Sequence, residues 1–203
     1  MKARSVVDVS TLPTAGFGPK SPMWWGTLGF MALEGGGFVL AVGTYLYLAM
    51  IAPDWPLGAV EPDLLPGTIV TVLLVISVVP NHLVSRWARK QRLGRVRIGL
   101  VVMALLGILP LIARGFEFPA LNVRWDANAY GSVVWVVLGL HTAHLVTDLG
   151  DTLVLAALMF TRHGRSAKRF SDVTDNAFYW DFVVASWVVL YLLIYWFPRL
   201  YNP

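Results

Sequence analysis

Cysteine is absent from this 203-residue sequence. The absence excludes structural disulfides, thiolate-bound metals and haem attached through cysteine. Charged residues are also scarce, at 14% of the chain, whereas hydrophobic residues make up 57%. Because a soluble domain needs far more charge to solvate its surface, the composition predicts an integral membrane protein.

The sequence also lacks the short motifs that mark common catalytic sites. It has no Gly-rich phosphate-binding loop, no nucleophile elbow and no HExxH metal motif. The net charge of +4 does not indicate nucleic-acid binding, since the basic residues cluster between apolar segments. Residues 1–22 lack the apolar core of a cleaved secretory signal, so the first helix is expected to act as the targeting signal.

Five apolar segments are long enough to cross about 30 Å of hydrocarbon. The predicted spans are 24–50, 67–87, 98–113, 130–160 and 178–197. The third is the shortest, and Arg97 and Arg114 are expected to reach from its ends toward the membrane surfaces. Tyr179 lies near the start of the last segment and is expected in the headgroup layer. We predict an all-α integral membrane protein with a single membrane domain over 1–203, in which 1–23 is a cytoplasmic N-terminal arm.

The basic residues predict the orientation of the chain in the membrane. Most of them lie in the N-terminal arm and in the second and fourth connections, namely Lys2, Arg4, Lys20, Arg86, Arg89, Lys90, Arg92, Arg95, Arg97, Arg162, Arg165, Lys168 and Arg169. The charged residues of the first connection are all acidic: Asp54, Glu61 and Asp63. Since cytoplasmic loops carry the excess of Lys and Arg, the N-terminus is predicted in the cytoplasm and the C-terminus outside.

The fourth segment carries four ionisable side chains, His141, His144, Asp148 and Asp151. Their spacing returns to one face of a helix, within an arc of roughly 80°. An Asp at the centre of a membrane helix costs about 2.5 to 3.5 kcal/mol when it faces lipid. The stripe is therefore predicted to face protein or trapped water, packed against other helices and a partner subunit.

Two functional interpretations of this stripe remain open. Imidazole and carboxylate groups at this spacing can share a metal ion, which would make the chain a stand-alone membrane metal-binding protein or enzyme. Alternatively, the side chains form hydrogen bonds with neighbouring helices. Glu34 is the only deep carboxylate in the first three segments, which is too few to complete a two-metal site.

Three further carboxylates lie in or beside the apolar segments. Glu34 is predicted to be protonated or paired with a donor on another helix, and the glycines at 35–37 are expected to let another backbone approach closely. Arg114 and Glu117 are predicted to pair at the membrane interface. Asp181 is predicted to accept from a helix N-terminus or to pair with the basic fourth connection.

Several motifs occur in a characteristic order along the chain: WWGTLGFMALEGGGF, YLYL, RGFEF, YGSVVWVVLGLHTAHL and FYWDFVVASWVVLYLLIYW. In this order the motifs resemble those of subunit III of the haem-copper cytochrome c oxidase family. The resemblance covers residues 24–196. Its most specific part is YGS followed after eight residues by HxxH.

The resemblance implies a five-helix bacterial form that lacks the first two of the seven helices found in longer members. It places Glu34 at the buried carboxylate of the first retained helix. It places Glu117 at the carboxylate that follows the next helix but one, and His141 and His144 at the HxxH pair.

The resemblance also implies a function. Subunit III of this family binds no haem or copper, and these cofactors are expected in partner subunits. It packs against catalytic subunit I of a terminal oxidase that also contains subunit II, holds phospholipid in a cleft and supports proton uptake. The complex reduces O2 to water and pumps protons. A multi-pass protein of the bacterial cytoplasmic membrane is therefore expected.

The sequence departs from the family pattern at four positions. Asp181 stands where the family commonly has His, and Val184 stands where it has Asp. Asp148 and Asp151 occupy positions where small or apolar residues are expected. These changes indicate a divergent branch. They leave open whether it serves a cytochrome c oxidase, a quinol oxidase or a related complex, as the accessory proteins of nitric oxide reductases do.

Overall fold

The computed structural model describes residues 16–201, and in that range the regular structure is entirely helical. The long helices are α1 (Pro22–Ile51), α2 (Leu64–Arg89), α3 (Leu93–Glu117), α4 (Ala129–Phe160) and α5 (Ala167–Tyr191). A π-helical turn, Leu192–Trp196, joins α5 to the short α6, Phe197–Leu200. Five helical stretches are long and apolar enough to span a membrane, which confirms the predicted fold class. Lys2 and Arg4 of the predicted N-terminal arm lie outside the described residues.

The third helix is longer than the predicted 98–113, and the two arginines discussed in the prediction, Arg97 and Arg114, both contact other helices. Arg97 donates through Nε to the carbonyl of Met159 at 2.7 Å, and its guanidinium lies over the Phe160 ring. Arg114 is 1% exposed. Each side chain finds acceptors or an aromatic face on another part of the bundle.

The last helix starts at Ala167, eleven residues before the predicted 178. This added segment is polar, so an apolar-length criterion does not detect it. It is nevertheless amphipathic, since Phe170, Val173, Thr174 and Ala177 are buried at helical spacing. Burial of this one face against the bundle stabilises a helix that hydropathy alone does not predict.

The four helices α2 to α5 form the body of the bundle. The helix α2 packs against α3 and α5, and α4 packs against α3 and α5. The helix α1 packs mainly against α4 and α5. Only Phe38, Tyr45 and Ala49 of its 30 residues are buried, so most of its surface is left for lipid or for another chain.

The connection between α1 and α2 is hydrogen-bonded to the connection between α3 and α4. The backbone N–H of Asp63 donates to the carbonyl of Ala120 at 2.8 Å, and the Asn122 amide donates to Asp63. In the same region, hydrogen bonds from Arg124 hold the pKa of Asp126 below its usual value. These contacts hold the start of α4 in place, and α4 carries His141 and His144.

Candidate functional site

The first buried polar group is the Arg114 cluster, formed by Arg114, Glu117, His141, Trp187 and Tyr195. Arg114 Nη1 donates to Glu117 Oε2 at 2.6 Å, and both side chains are essentially inaccessible. The guanidinium lies 4.0 Å from the centre of the Trp187 ring. The predicted pairing of Arg114 with Glu117 is thus present. The pair is buried inside the bundle, because three helices supply the partners of Arg114.

The Arg114 cluster also determines the tautomer of His141. Arg114 Nη2 lies 3.0 Å from His141 Nδ1, and a guanidinium can only donate. Nδ1 is therefore the acceptor, so Nε2 carries the proton and donates to the carbonyl of Val183 at 3.0 Å. His141 is a neutral imidazole with both ring nitrogens occupied, which leaves no free nitrogen for a metal.

The π-helical turn at the end of α5 positions the last member of this cluster. Its residue Tyr195 is fully buried and donates through its hydroxyl to Glu117 Oε1 at 2.6 Å. The ring lies directly over Gly67 of α2, where a Cβ atom would overlap it. Glu117 therefore accepts from two helices, and the absence of a side chain at Gly67 makes room for one of the donors.

The second buried polar group is the Glu34 cluster, which joins α1, α4 and α5. Tyr179 donates to Glu34 Oε2 at 2.7 Å, and His144 Nε2 lies 3.0 Å from Glu34 Oε1. His144 Nδ1 lies 2.6 Å from the carbonyl of Leu140 and so must donate to it. Glu34 and His144 therefore hold one proton between them, either on the carboxyl group or on the imidazole.

The glycines beside Glu34 do not act as predicted. A Cβ atom at Gly35 would meet only the edge of the Phe182 ring at ordinary contact distance, and Gly36 and Gly37 have no neighbour within 4 Å. Within the described chain, the glycine run is not a site of close backbone approach. The reason is that α1 meets α4 and α5 through the larger side chains Glu34 and Phe38.

The third feature is an acidic pocket between α1, α4 and α5, with a volume of about 660 Å³. Asp148 lines it and is 1% exposed, yet neither of its carboxylate oxygens has a hydrogen-bond partner. Asp175 also lines the pocket, is 4% exposed and is likewise unpartnered. Asp151 lies on the exposed part of the lining.

The predicted stripe of the fourth helix is therefore divided among three environments. His141 belongs to the Arg114 cluster, His144 to the Glu34 cluster, and Asp148 and Asp151 to the acidic pocket. The helical spacing correctly places them on one side of α4. It does not predict that different neighbouring helices contact this side of α4 at successive positions along its length.

Asp181 has partners other than the predicted ones. Asn81 of α2 donates to Asp181 Oδ1 at 2.9 Å, and His82 Nδ1 lies 3.5 Å from Asp181 Oδ2. Because α5 begins at Ala167, Asp181 is well inside the helix and distant from both its N-terminus and the basic fourth connection. It therefore serves the contact between α2 and α5.

Sequence reasoning missed several members of these sites, including Trp187 of the Arg114 cluster. Tyr179, expected in the headgroup layer, is 7% exposed and bonded to Glu34. Tyr195 and Asp175 were not singled out by any pattern. An amphipathic pattern over 167–177 does not identify Asp175, because residues two apart on a helix point to different faces and Asp175 therefore lies opposite Val173 and Ala177.

The fold and these clusters define a polytopic helical membrane protein with buried ionisable groups. Within residues 16–201, no three His, Asp or Glu side chains are placed to share a metal ion. The alternative of a metal-binding enzyme built on the fourth-helix stripe finds no support.

Comparison with known proteins agrees with this class. The family model for Cytochrome c oxidase subunit III matches residues 28–199. Proteins named cytochrome c oxidase subunit 3 are 26% identical in Synechocystis sp. over 84% of this chain and 74% of the relative, and 26% identical in Thermostichus vulcanus over 86% and 87%. The protein of that name from Osphranter robustus is 30% identical over 70% of this chain and 52% of its own length.

Since the family model matches most of the chain, the protein belongs to the cytochrome c oxidase subunit III family. It is a multi-pass membrane protein and a component of a multi-subunit oxidase complex. The family is not itself a haem or metal binder.

Proposed function

We propose that the chain is a non-catalytic subunit that packs against catalytic subunit I of a respiratory terminal oxidase containing subunit II. The complex reduces O2 to water and pumps protons across the bacterial cytoplasmic membrane, with haem and copper in the partner subunits. The observation that carries the proposal is the family match over 28–199, which includes most of every spanning helix.

The surface of α1 supports docking on a larger partner. Large apolar side chains along this helix are strongly exposed, including Leu33 at 78% and Val39 at 71%. Glycines at 36 and 37 lie on the same uncovered surface, and small residues allow close helix contacts within a membrane. We place the contact with subunit I on this helix, together with bound phospholipid in the space that remains.

The Glu34 cluster supports a part in proton uptake. Glu34 and His144 hold one proton between them and are 16% and 13% exposed, so they can exchange it through a neighbouring water or side chain. The site sits beside the uncovered helix α1. In this proposal the pair buffers protons next to the entry path of the catalytic subunit, while the Arg114 cluster serves packing.

The basic connections support an orientation with the N-terminus in the cytoplasm. In that orientation the acidic pocket opens near the cytoplasmic side, since it is lined by the start of α1, the end of α4 and the start of α5.

Purification of the tagged chain in a mild detergent tests the proposal. The reduced-minus-oxidised visible spectrum and the metal content of the preparation are measured together with the identity of the co-purifying chains. We expect haem and copper to arrive with larger subunits. A chain that purifies alone, without haem, overturns the proposal.

A further inference from the structure

An ionisable pair lies on the outer surface of the bundle, where α2 meets α5. His82 Nδ1 lies 3.5 Å from Asp181 Oδ2, and the two side chains are 56% and 34% exposed. The other carboxylate oxygen, Oδ1, accepts from the amide of Asn81 at 2.9 Å. Because 3.5 Å is too long for a strong hydrogen bond, Asp181 Oδ2 keeps acceptor capacity that the described chain does not use.

The length of α2 places this pair within the hydrocarbon layer. The helix has 26 residues, or about 39 Å at 1.5 Å per residue, so a centred helix extends about 4 to 5 Å beyond each side of a 30 Å hydrocarbon core. His82 lies seven residues before Arg89, the last residue of α2. It is therefore about 6 Å inside the hydrocarbon. An exposed ionisable pair is costly at this depth, where neither water nor lipid chains supply hydrogen bonds.

The surface that continues from the pair is an apolar groove between the two helices. On α2, Val75 precedes His82 by seven residues and is 49% exposed. On α5, Val188 and Leu192 follow Asp181 by seven and eleven residues and are 39% and 54% exposed. These spacings keep each set of residues on one face of its helix. Since α2 packs directly against α5, the two faces adjoin along the groove.

The groove suits a helix better than it suits lipid. Ala185 lies between Asp181 and Val188 on the same face of α5 and is exposed, and a small residue lets a second helix approach closely in a membrane. Lipid chains cover the valines but offer no donor to the carboxylate. A transmembrane helix offers an apolar surface and a donating side chain together, with its own backbone hydrogen bonds satisfied.

We infer that the groove between α2 and α5 is the docking surface for a transmembrane helix of another subunit of the complex, and that this helix presents a lysine or arginine to Asp181. A basic side chain is specified by charge complementarity, since a carboxylate only accepts and its strongest partner is a cationic donor. The inference goes beyond the proposed function, because it does not depend on the contact of subunit I with α1.

Photo-cross-linking within the purified complex tests the docking surface. The photoreactive residue p-benzoylphenylalanine is placed at Val75 or at Val188, on the two walls of the groove. We expect both positions to be joined to one transmembrane segment of another chain, identified by peptide mass spectrometry. That segment is expected to carry Lys or Arg about two helical turns from the cross-linked residue, the distance from Val188 to Asp181. The control is Leu105 of α3, 58% exposed, which is expected to give no adduct with that segment.

Three outcomes of this experiment overturn the inference. They are adducts of positions 75 and 188 with lipid alone, adducts with a second copy of this chain, and adducts with a segment that has no Lys or Arg at the level of Asp181. None of them depends on a substitution of the ionisable pair, so misfolding of such a variant cannot produce them.

Asp181→Asn tests the role of the carboxylate. Asparagine keeps the size of the side chain and can still accept from Asn81, so the contact between α2 and α5 is retained while the negative charge is lost. We expect the Kd of the partner chain, from a dilution series in detergent scored by cross-linking at position 75, to rise about tenfold, as the loss of a charged hydrogen bond implies. The control Asp126→Asn, in the exposed connection before α4, is expected to leave it unchanged. An unchanged Kd for Asp181→Asn contradicts the basic partner.

The haem spectrum of the same preparation is scored separately from the adducts. Haem without a cross-linked helix at positions 75 and 188 overturns this inference and leaves the proposed function intact. A cross-linked helix in a preparation without haem has the opposite meaning, so the two failures are distinguishable.

Discussion

His144 Nε2 of α4 lies 3.0 Å from Glu34 Oε1 of α1. The contact joins the least buried helix of the bundle to its interior, and Tyr179 of α5 donates to the other oxygen of the same carboxylate. One glutamate thus connects three helices and shares a proton with a histidine. Its substitution affects both packing and proton exchange, and the two effects separate when the tyrosine is changed as a control.

Replacing Glu34 with Gln is expected to leave the haem spectrum of the purified complex unchanged and to alter proton coupling or the number of turnovers before inactivation. Gln keeps the size of the side chain and can still accept from Tyr179, but it cannot hold the shared proton. Oxygen consumption and proton release are measured over successive turnovers. Tyr179→Phe is the control, since it removes a hydrogen bond and retains the Glu34–His144 pair. Loss of haem in the Glu34 variant would contradict this assignment.

Replacing Arg114 with Met is expected to destabilise the chain by about 3 to 5 kcal/mol, because it leaves Glu117 buried without its cation. The double variant Arg114→Met with Glu117→Gln removes both charges and is expected to recover most of the loss. The measurement is the free energy of unfolding in detergent for the wild type, the two single variants and the double variant. Additive effects of the two substitutions would show that the pair does not interact.

Replacing Gly67 with Ala is expected to lower the thermal unfolding temperature, because the new methyl group overlaps the ring of Tyr195. That ring cannot easily move, since its hydroxyl is bonded to Glu117 and the side chain is fully buried. Overpacking of this kind costs about 1 to 3 kcal/mol. Gly36→Ala is the matched control in the isolated chain, where no atom lies within 4 Å of the new methyl group. Equal unfolding temperatures for the two variants would disprove the role assigned to Gly67.

The absence of cysteine makes the chain a clean background for a test of orientation. Single cysteines at Ala127 and Ser166 lie on exposed connections at opposite ends of α4. In intact cells a membrane-impermeant maleimide is expected to label Ala127→Cys and to leave Ser166→Cys unlabelled until the cells are opened. The reverse pattern would place the N-terminus outside and reject the positive-inside prediction.

Hydropathy and residue spacing along the sequence predict some features of this protein and not others. The five spans, the pairing of Arg114 with Glu117 and the need of Glu34 for a donor on another helix all follow from hydropathy, spacing and the cost of buried charge. The polar first turns of α5 escaped prediction. Hydropathy detects residues in hydrocarbon, whereas this segment is helical because one of its faces is buried against the bundle.

By itself, the sequence determined that the protein is a five-helix membrane protein with its ionisable residues on one side of the fourth helix. Only the tertiary structure decided that these residues divide among the Arg114 cluster, the Glu34 cluster and the acidic pocket. The physical reason is that helical periodicity specifies the direction of a side chain around its own axis. The partner it meets depends on how the neighbouring helices pack, and that is set by contacts such as Gly67 with Tyr195, which are distant in sequence.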